Sequence, residues 1–191
     1  MWRRSLAASL SAAVFVCACA DPPNKELAQA QGAIDAARAA GADRYATEEY
    51  TAATKAFEQA SDAVSQRDYR LALNHALESR EHAQSAAREA AERRAQVRSD
   101  VERSMADVAT VLAQANLRMT AAEQARVPRT ALRETQQALA QVNDDVQKAG
   151  EALRAEDYLE AQRLLTGLKE RIQAVNRSFD QLSSAPVRQR K

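Results

Sequence analysis

Residues 69–126 read YRLALNHALESREHAQSAAREAAERRAQVRSDVERSMADVATVLAQANLRMTAAEQAR, 58 positions without a glycine or a proline. A single helix of that length would extend about 87 Å, at about 1.5 Å per residue. Its apolar positions keep a seven-residue repeat through Tyr69, Leu73, Ala76, Ala83, Ala87, Ala90, Val97, Val101, Val108, Ala115 and Ala122. Recurrence of that period marks one face of a helix. The outer thirds carry Leu, Val and Met, whereas the middle, SREHAQSAAREAAERRAQ at 79–96, offers alanine as its only apolar residue. The middle is therefore expected to be an exposed shaft between two better-packed ends. Glu89 and Arg93 stand four apart in the order that supports a helix.

Outward from this stretch, breakers nearly draw the fold. Helix 1 is expected over about 24–40, with Leu27, Ala30, Ile34 and Ala37 inward and Gly41 as its C-terminal stop. Helix 2 covers about 47–66 behind Thr47, whose hydroxyl can accept the first free N–H groups, and its stripe is Tyr50, Ala53, Phe57, Ala60 and Val64. On the other side Pro128 opens helix 4, at the first-turn position proline favours. Helix 4 turns Leu132, Leu139, Val142, Val146, Ala149 and Leu153 inward. Helix 5 alternates spacings of three and four through Tyr158, Ala161, Leu165, Leu168, Ile172, Val175, Phe179 and Leu182, a coiled-coil seam. Gly150 and Gly167 are read as lying inside helices 4 and 5.

Two turns repeat each other. AVSQRDYRLAL from Ala63 and ALRAEDYLEAQ from Ala152 align without gaps. In each, an aspartate (Asp68, Asp157) is placed to cap the next helix and a tyrosine (Tyr69, Tyr158) to plug its opening. The expected fold class is all-α: about five helices, in two three-helix antiparallel bundles that share one long central helix. Antiparallel neighbours follow from the short connections.

Composition agrees. Nearly a quarter of the chain is alanine, and the 191 residues hold only four glycines and four prolines. Such a bias belongs to long helices, while strands would want many more β-branched and aromatic residues. The 27 basic residues, less Arg3 and Arg4 of the leader described next, leave 25 against 26 acidic. That balance argues against a nucleic-acid partner, which would show a clustered basic surface.

Met1 to Arg4 is a basic start, and Ser5 to Val16 is an apolar run of about twelve residues, too short for a span of roughly 20. This is the pattern of a secretory signal peptide. Its end, Val16-Cys17-Ala18-Cys19, resembles the bacterial lipobox, in which the cysteine is diacylated and the leader is cut before it. Ala18 supplies the small residue before the cut, so the lipidated position maps onto Cys19. A Cys-x-Cys metal site wants further ligands nearby, and a disulfide between cysteines two apart is strained. With Cys17 removed no second thiol is left for redox chemistry. Ala20 is not the usual inner-membrane retention signal, so an outer-membrane address on the periplasmic side is expected, in a Gram-negative cell. The chain then divides into a leader (1–18), lipidated cysteine and tether (19–25), N-terminal helical domain (26–92), C-terminal coiled-coil-like domain (93–183) and basic tail (184–191).

The stretch AIDAARAAGADRYATEEYTAATKAFEQASDAVSQRDYRLALNHALESREHA, at 33–83, resembles a family of bacterial lipoproteins defined by a domain of unknown function. The alanine-rich first helix, Gly41-Ala42, Tyr45-Ala46, Glu48 or Glu49, and Asp68-Tyr69 leading to Ala72 carry the likeness, over about residues 26–92. Thr47 stands where members often have proline. These motifs punctuate helices, so the resemblance implies a fold and no chemistry. The Asp-Tyr-x-x-Ala turns are also similar to tetratricopeptide hairpins, but two hairpins about 89 residues apart make no solenoid, which needs at least three repeats.

Residues that carry chemistry are sparse. His75, Glu78 and His82 share a face of the long helix, but no third strong ligand from another helix is evident, so no metal or other cofactor is expected. Arg88, Arg93, Arg94 and Arg98 interleave with Glu89, Glu92, Asp100 and Glu102 and read as a solvated face. No phosphate loop, nucleophile elbow or metalloprotease motif occurs. Lys191 is a candidate for attachment to peptidoglycan, by analogy with the murein lipoprotein. The expected protein is a non-enzymatic scaffold, spacer or adaptor, joined by lipid to the membrane and partnered by envelope proteins or peptidoglycan, with its oligomeric state open. The alternative is an accessory or small-ligand-binding subunit of an envelope transport machine, with a pocket near Tyr45, Tyr50, Phe57 and Tyr69.

Overall fold

A computed structural model describes residues 21–184. Residues 1–20, with Cys17 and Cys19, and residues 185–191, with Lys191, lie outside the described residues, as do the side chains of Leu182, Ser183 and Ser184. Within them the chain is all-α: α1 (Asn24–Ala39), α2 (Ala42–Tyr45), α3 (Thr47–Ser65), α4 (Tyr69–Gln124), α5 (Arg129–Arg154), α6 (Tyr158–Leu165) and α7 (Leu168–Ser184). The long central helix is continuous, 56 residues or about 84 Å. The helices α1, α2 and α3 pack on its first part and α5, α6 and α7 on its second, which makes the two bundles.

Alanine decides the form of the N-terminal bundle. Along α4 the inward positions are Ala72, Ala76, Ser79, Ala83, Ala86 and Ala90, and α3, which packs on α4, buries Ala53, Ala56, Ala60 and Ala63. Small side chains on both surfaces let the backbones approach closely, and the Ser79 hydroxyl donates to the Ala53 carbonyl at 2.8 Å across that contact. The alanine middle is therefore no exposed shaft. Ser79, Ala83, Ala86 and Ala90 are all fully buried, because α1, α2 and α3 cover them. The truly bare stretch is shorter, where Ala91, Glu92, Arg93, Ala95 and Gln96 face solvent.

The C-terminal bundle has a larger-grained core. Val101, Val108, Leu112 and Met119 of α4 meet Leu132, Leu139 and Val142 of α5 and Leu165, Leu168, Ile172, Val175 and Phe179 of the last two helices. Fully burying one such side chain contributes roughly 1.5–3 kcal/mol, several times what an alanine methyl can supply. Val97 packs against both cores and marks where one passes into the other.

The local punctuation differs from the sequence reading in four places. Helix 5 is two helices, since Gly167 takes a left-handed φ of 77° and Thr166 is extended. The seam survives because Leu165 and Leu168, either side of the break, both stay buried. Gly41 stops α1 with φ 83°, and a single turn, α2, follows it. A Cβ at Gly41 would stand 3.3 Å from the nearest carbon of the Tyr45 ring, a tight contact, and the left-handed φ strains any other side chain, so glycine is favoured there. Thr47 is not the cap of α3: it is the first helical residue, behind Ala46, and no side chain caps that end. Pro128 likewise precedes α5 rather than opening it, and α4 stops at Gln124.

Three helices end alike. Arg67, Arg126 and Glu156 all take positive φ, near 60°. Each is followed by an N–H that reaches back to the start of the last turn: Asp68 to Ala63, Val127 to Ala122 and Asp157 to Ala152, at 2.9–3.1 Å. This is the Schellman closure, usually made with glycine.

Candidate functional site

The repeated turns place their two aspartates in equivalent backbone conformations but different company. Asp68 precedes α4 with φ −85° and ψ 76°, and its Oδ1 accepts from the Leu71 N–H at 3.0 Å. Asp157 precedes α6 with φ −85° and ψ 73°, but its cap bond, from the Glu160 N–H, is longer at 3.4 Å. The same Oδ1 accepts from Arg44 Nη2 at 2.6 Å. Tyr158 is buried behind Asp157, whereas Tyr69 is only half-buried.

Arg44 belongs to α2, 113 residues away in the chain. Its bond to Asp157 crosses the seam between the bundles. Beside it Arg94, on α4, bonds Glu156 at 2.6 Å and lies over the Tyr158 ring, 5.6 Å from its centroid. Leu159 reaches across to pack on the N-terminal core. The seam thus joins the Gly41 turn, the bare stretch of α4 and the α5–α6 turn. The Arg44 guanidinium, chiefly through its hydrogen bond, holds the Asp157 carboxyl below the usual carboxylate range. Both partners are almost half exposed, 47% and 42%, so solvent screens the pair and it contributes about 0–1 kcal/mol.

Two adjacent hollows line this seam. One of about 400 Å3 lies against Ala91, Arg94, Ala95, Arg98 and Tyr158. The other, of about 200 Å3, lies against Gly41, Arg44, Tyr45 and Arg94. They share Ala40, Arg94 and Glu156. Tyr45 is 7% exposed and its hydroxyl has no hydrogen-bond partner among the described residues. Burial holds the phenol proton above its ordinary affinity. A wider groove of about 490 Å3 runs between α5 and α7, over Ala138, Val142, Ala174 and Val175.

The other residues singled out in the sequence go to local partners. His75 Nδ1 is 3.1 Å from Glu78, one helical turn on, while His82 Nδ1 is 2.7 Å from Glu49 on α3. The two histidines therefore face different carboxylates, and among the described residues no cluster of three metal-ligating side chains forms. Arg93 pairs with Glu89 and Arg98 with Glu102, along the helix. Of that group Arg94 bonds a residue of the α5–α6 turn, and Arg98 lines the hollow beside it. Of the four aromatic residues expected near a pocket, Tyr45 borders a hollow, and Tyr50 instead receives a bond from Arg38 at 2.7 Å. The seam escaped the sequence reading because no spacing connects Arg44 to Asp157.

Cys19 and Lys191, the two candidate attachment points, lie outside the described residues. Among the described residues no helix is long and apolar enough to cross a membrane. No curated protein and no solved structure matches the chain. One family model does, and it covers α1 from Lys25, all of α2 and α3, and α4 as far as Val101. Residues 25–101 of this chain match the Domain of unknown function (DUF4398).

Proposed function

We propose that this protein is a non-enzymatic spacer and scaffold of the cell envelope, held by lipid on Cys19 at the periplasmic face of the outer membrane. The observation that carries the reading is α4: one continuous helix of 56 residues that serves both bundles. A shared helix fixes two packing units at a set separation along one axis, which is what a spacer needs and an enzyme does not. The lipid would hold one end, since each buried CH2 contributes about 0.8 kcal/mol and two or more chains make attachment stable. The helices would then present surfaces to envelope proteins or to peptidoglycan, away from the bilayer.

The test is fractionation with labelled palmitate. The natural chain is expected to take up label and to sediment with outer membranes, and Cys19→Ser to lose both. Unlabelled natural protein, or a Cys19→Ser variant that still fractionates with membranes, rejects the anchored reading. Photo-crosslinking in the same cells should then recover an envelope protein or a muropeptide.

A second reading, a small-ligand subunit of an envelope transport machine, draws support from the hollows beside Tyr45. It stays second because the three guanidiniums at those hollows are engaged by the chain's own carboxylates: Arg44 by Asp157, Arg94 by Glu156 and Arg98 by Glu102.

A further inference from the structure

We propose that Arg44 and Asp157 form a releasable clasp that sets the angle between the two bundles, with Asp157 alternating between holding Arg44 and capping α6. Three observations meet here. First, no backbone of α1–α3 approaches one of α5–α7, so the bundles are joined by α4 and by side chains across the seam. Second, between Ala90 and Val101 α4 has no fully buried residue, and its inward positions there, Arg94 and Val97, are only half-buried. A helix bends more readily there than where its inward face is fully packed.

Third, Asp157 is divided between two donors. Its twin Asp68, in the same conformation and free of any seam, caps at 3.0 Å; Asp157 caps at 3.4 Å while it accepts from Arg44 at 2.6 Å. The arginine draws the shared oxygen from the helix end. When Arg44 departs, the carboxylate can settle on the Glu160 N–H as Asp68 settles on Leu71. The free carboxylate is thereby compensated, and opening costs less than breaking an isolated pair. The clasp stands whether or not Cys19 carries lipid, so its failure and the failure of the anchored reading are separate events.

The experiment uses the full chain with Cys17 and Cys19 replaced by serine and spin labels at Lys55→Cys and Glu170→Cys, both exposed and on opposite sides of the seam. The labelled chain should give one narrow distance distribution. Arg44→Ala, or Asp157→Asn, should broaden it, and so should salt of about 1 M, where the screening length falls to about 3 Å. Asp68→Asn, the same change in the twin turn, should leave it as it was. In Arg44→Ala the Glu160 amide should become better protected from hydrogen exchange, the reverse of what general loosening produces. An unchanged distribution in Arg44→Ala overturns the clasp, and a loss of protection at Glu160 overturns the alternation.

Discussion

At the scale of single residues, the clearest lesson is that one side chain type in one backbone setting can do two jobs. Asp68 and Asp157 were both legible as caps, because an aspartate between a helix end and an apolar run has few other uses. The second duty of Asp157 was not legible, because it depends on where Arg44 arrives after folding. The duty has a pH signature. Arg44 lowers the Asp157 carboxyl below its ordinary 3.8, so the folded form favours the charged state. That stabilisation is complete above the unfolded value and disappears as pH falls through the folded one. Asp157→Asn keeps a good cap and removes the charge. It should therefore cost up to about 1 kcal/mol at neutral pH, the range of a surface pair, and nothing once the natural carboxyl is protonated. Denaturant unfolding of the two proteins at neutral pH and at pH well below 3.8 measures the difference; a gap that persists in acid assigns the effect to the cap rather than the ion pair.

At the scale of elements, the two halves of α4 are built on opposite packing rules. The first half presents alanine and Ser79 to α3, and the second presents Val, Leu and Met to α5 and α7. Ala83 is fully buried between close backbones. Ala83→Leu forces extra methylenes into that contact and should destabilise by about 1–3 kcal/mol or more, seen as a lower midpoint in thermal unfolding followed by circular dichroism. A midpoint unchanged from the natural chain contradicts close alanine packing. The lengths of the helices were readable, since glycine and proline are scarce and the heptads regular. The burial of the alanine middle was not. A seven-residue repeat reveals which face is inward, but the distance to the partner depends on side-chain size on both surfaces, and alanine facing alanine can be a tight core or an open face. The break at Gly167 was hidden for a related reason, because Leu165 and Leu168 keep the spacing of an unbroken seam.

At the scale of the whole molecule, two cores with one common helix raise the question of whether they unfold together. The connections across the seam are weak. Arg44–Asp157 and Arg94–Glu156 are exposed pairs worth about 0–1 kcal/mol each. The rest of the coupling runs through Leu159, which packs on the N-terminal core, and through α4, which has no fully buried residue between Ala90 and Val101. Local opening follows cooperative units of packing, so the molecule should behave as two such units that meet near Val97, the residue common to both cores. Ile172 is fully buried in the second core. Ile172→Ala removes its transfer free energy and leaves a cavity, a loss of about 2–5 kcal/mol. Native-state hydrogen exchange should then quicken in α5, in α7 and in α4 beyond Val97. Amides of α1, α3 and the alanine stretch of α4 should exchange as before, since nothing they pack against has changed. Equal acceleration in both regions would mean that α4 transmits the loss in full, and that the long helix welds the bundles into one cooperative body. A boundary near Val97 instead leaves α4 as a mechanical link between units that keep their own stability, the behaviour expected of two bundles on a common axis whose relative angle is set at the seam.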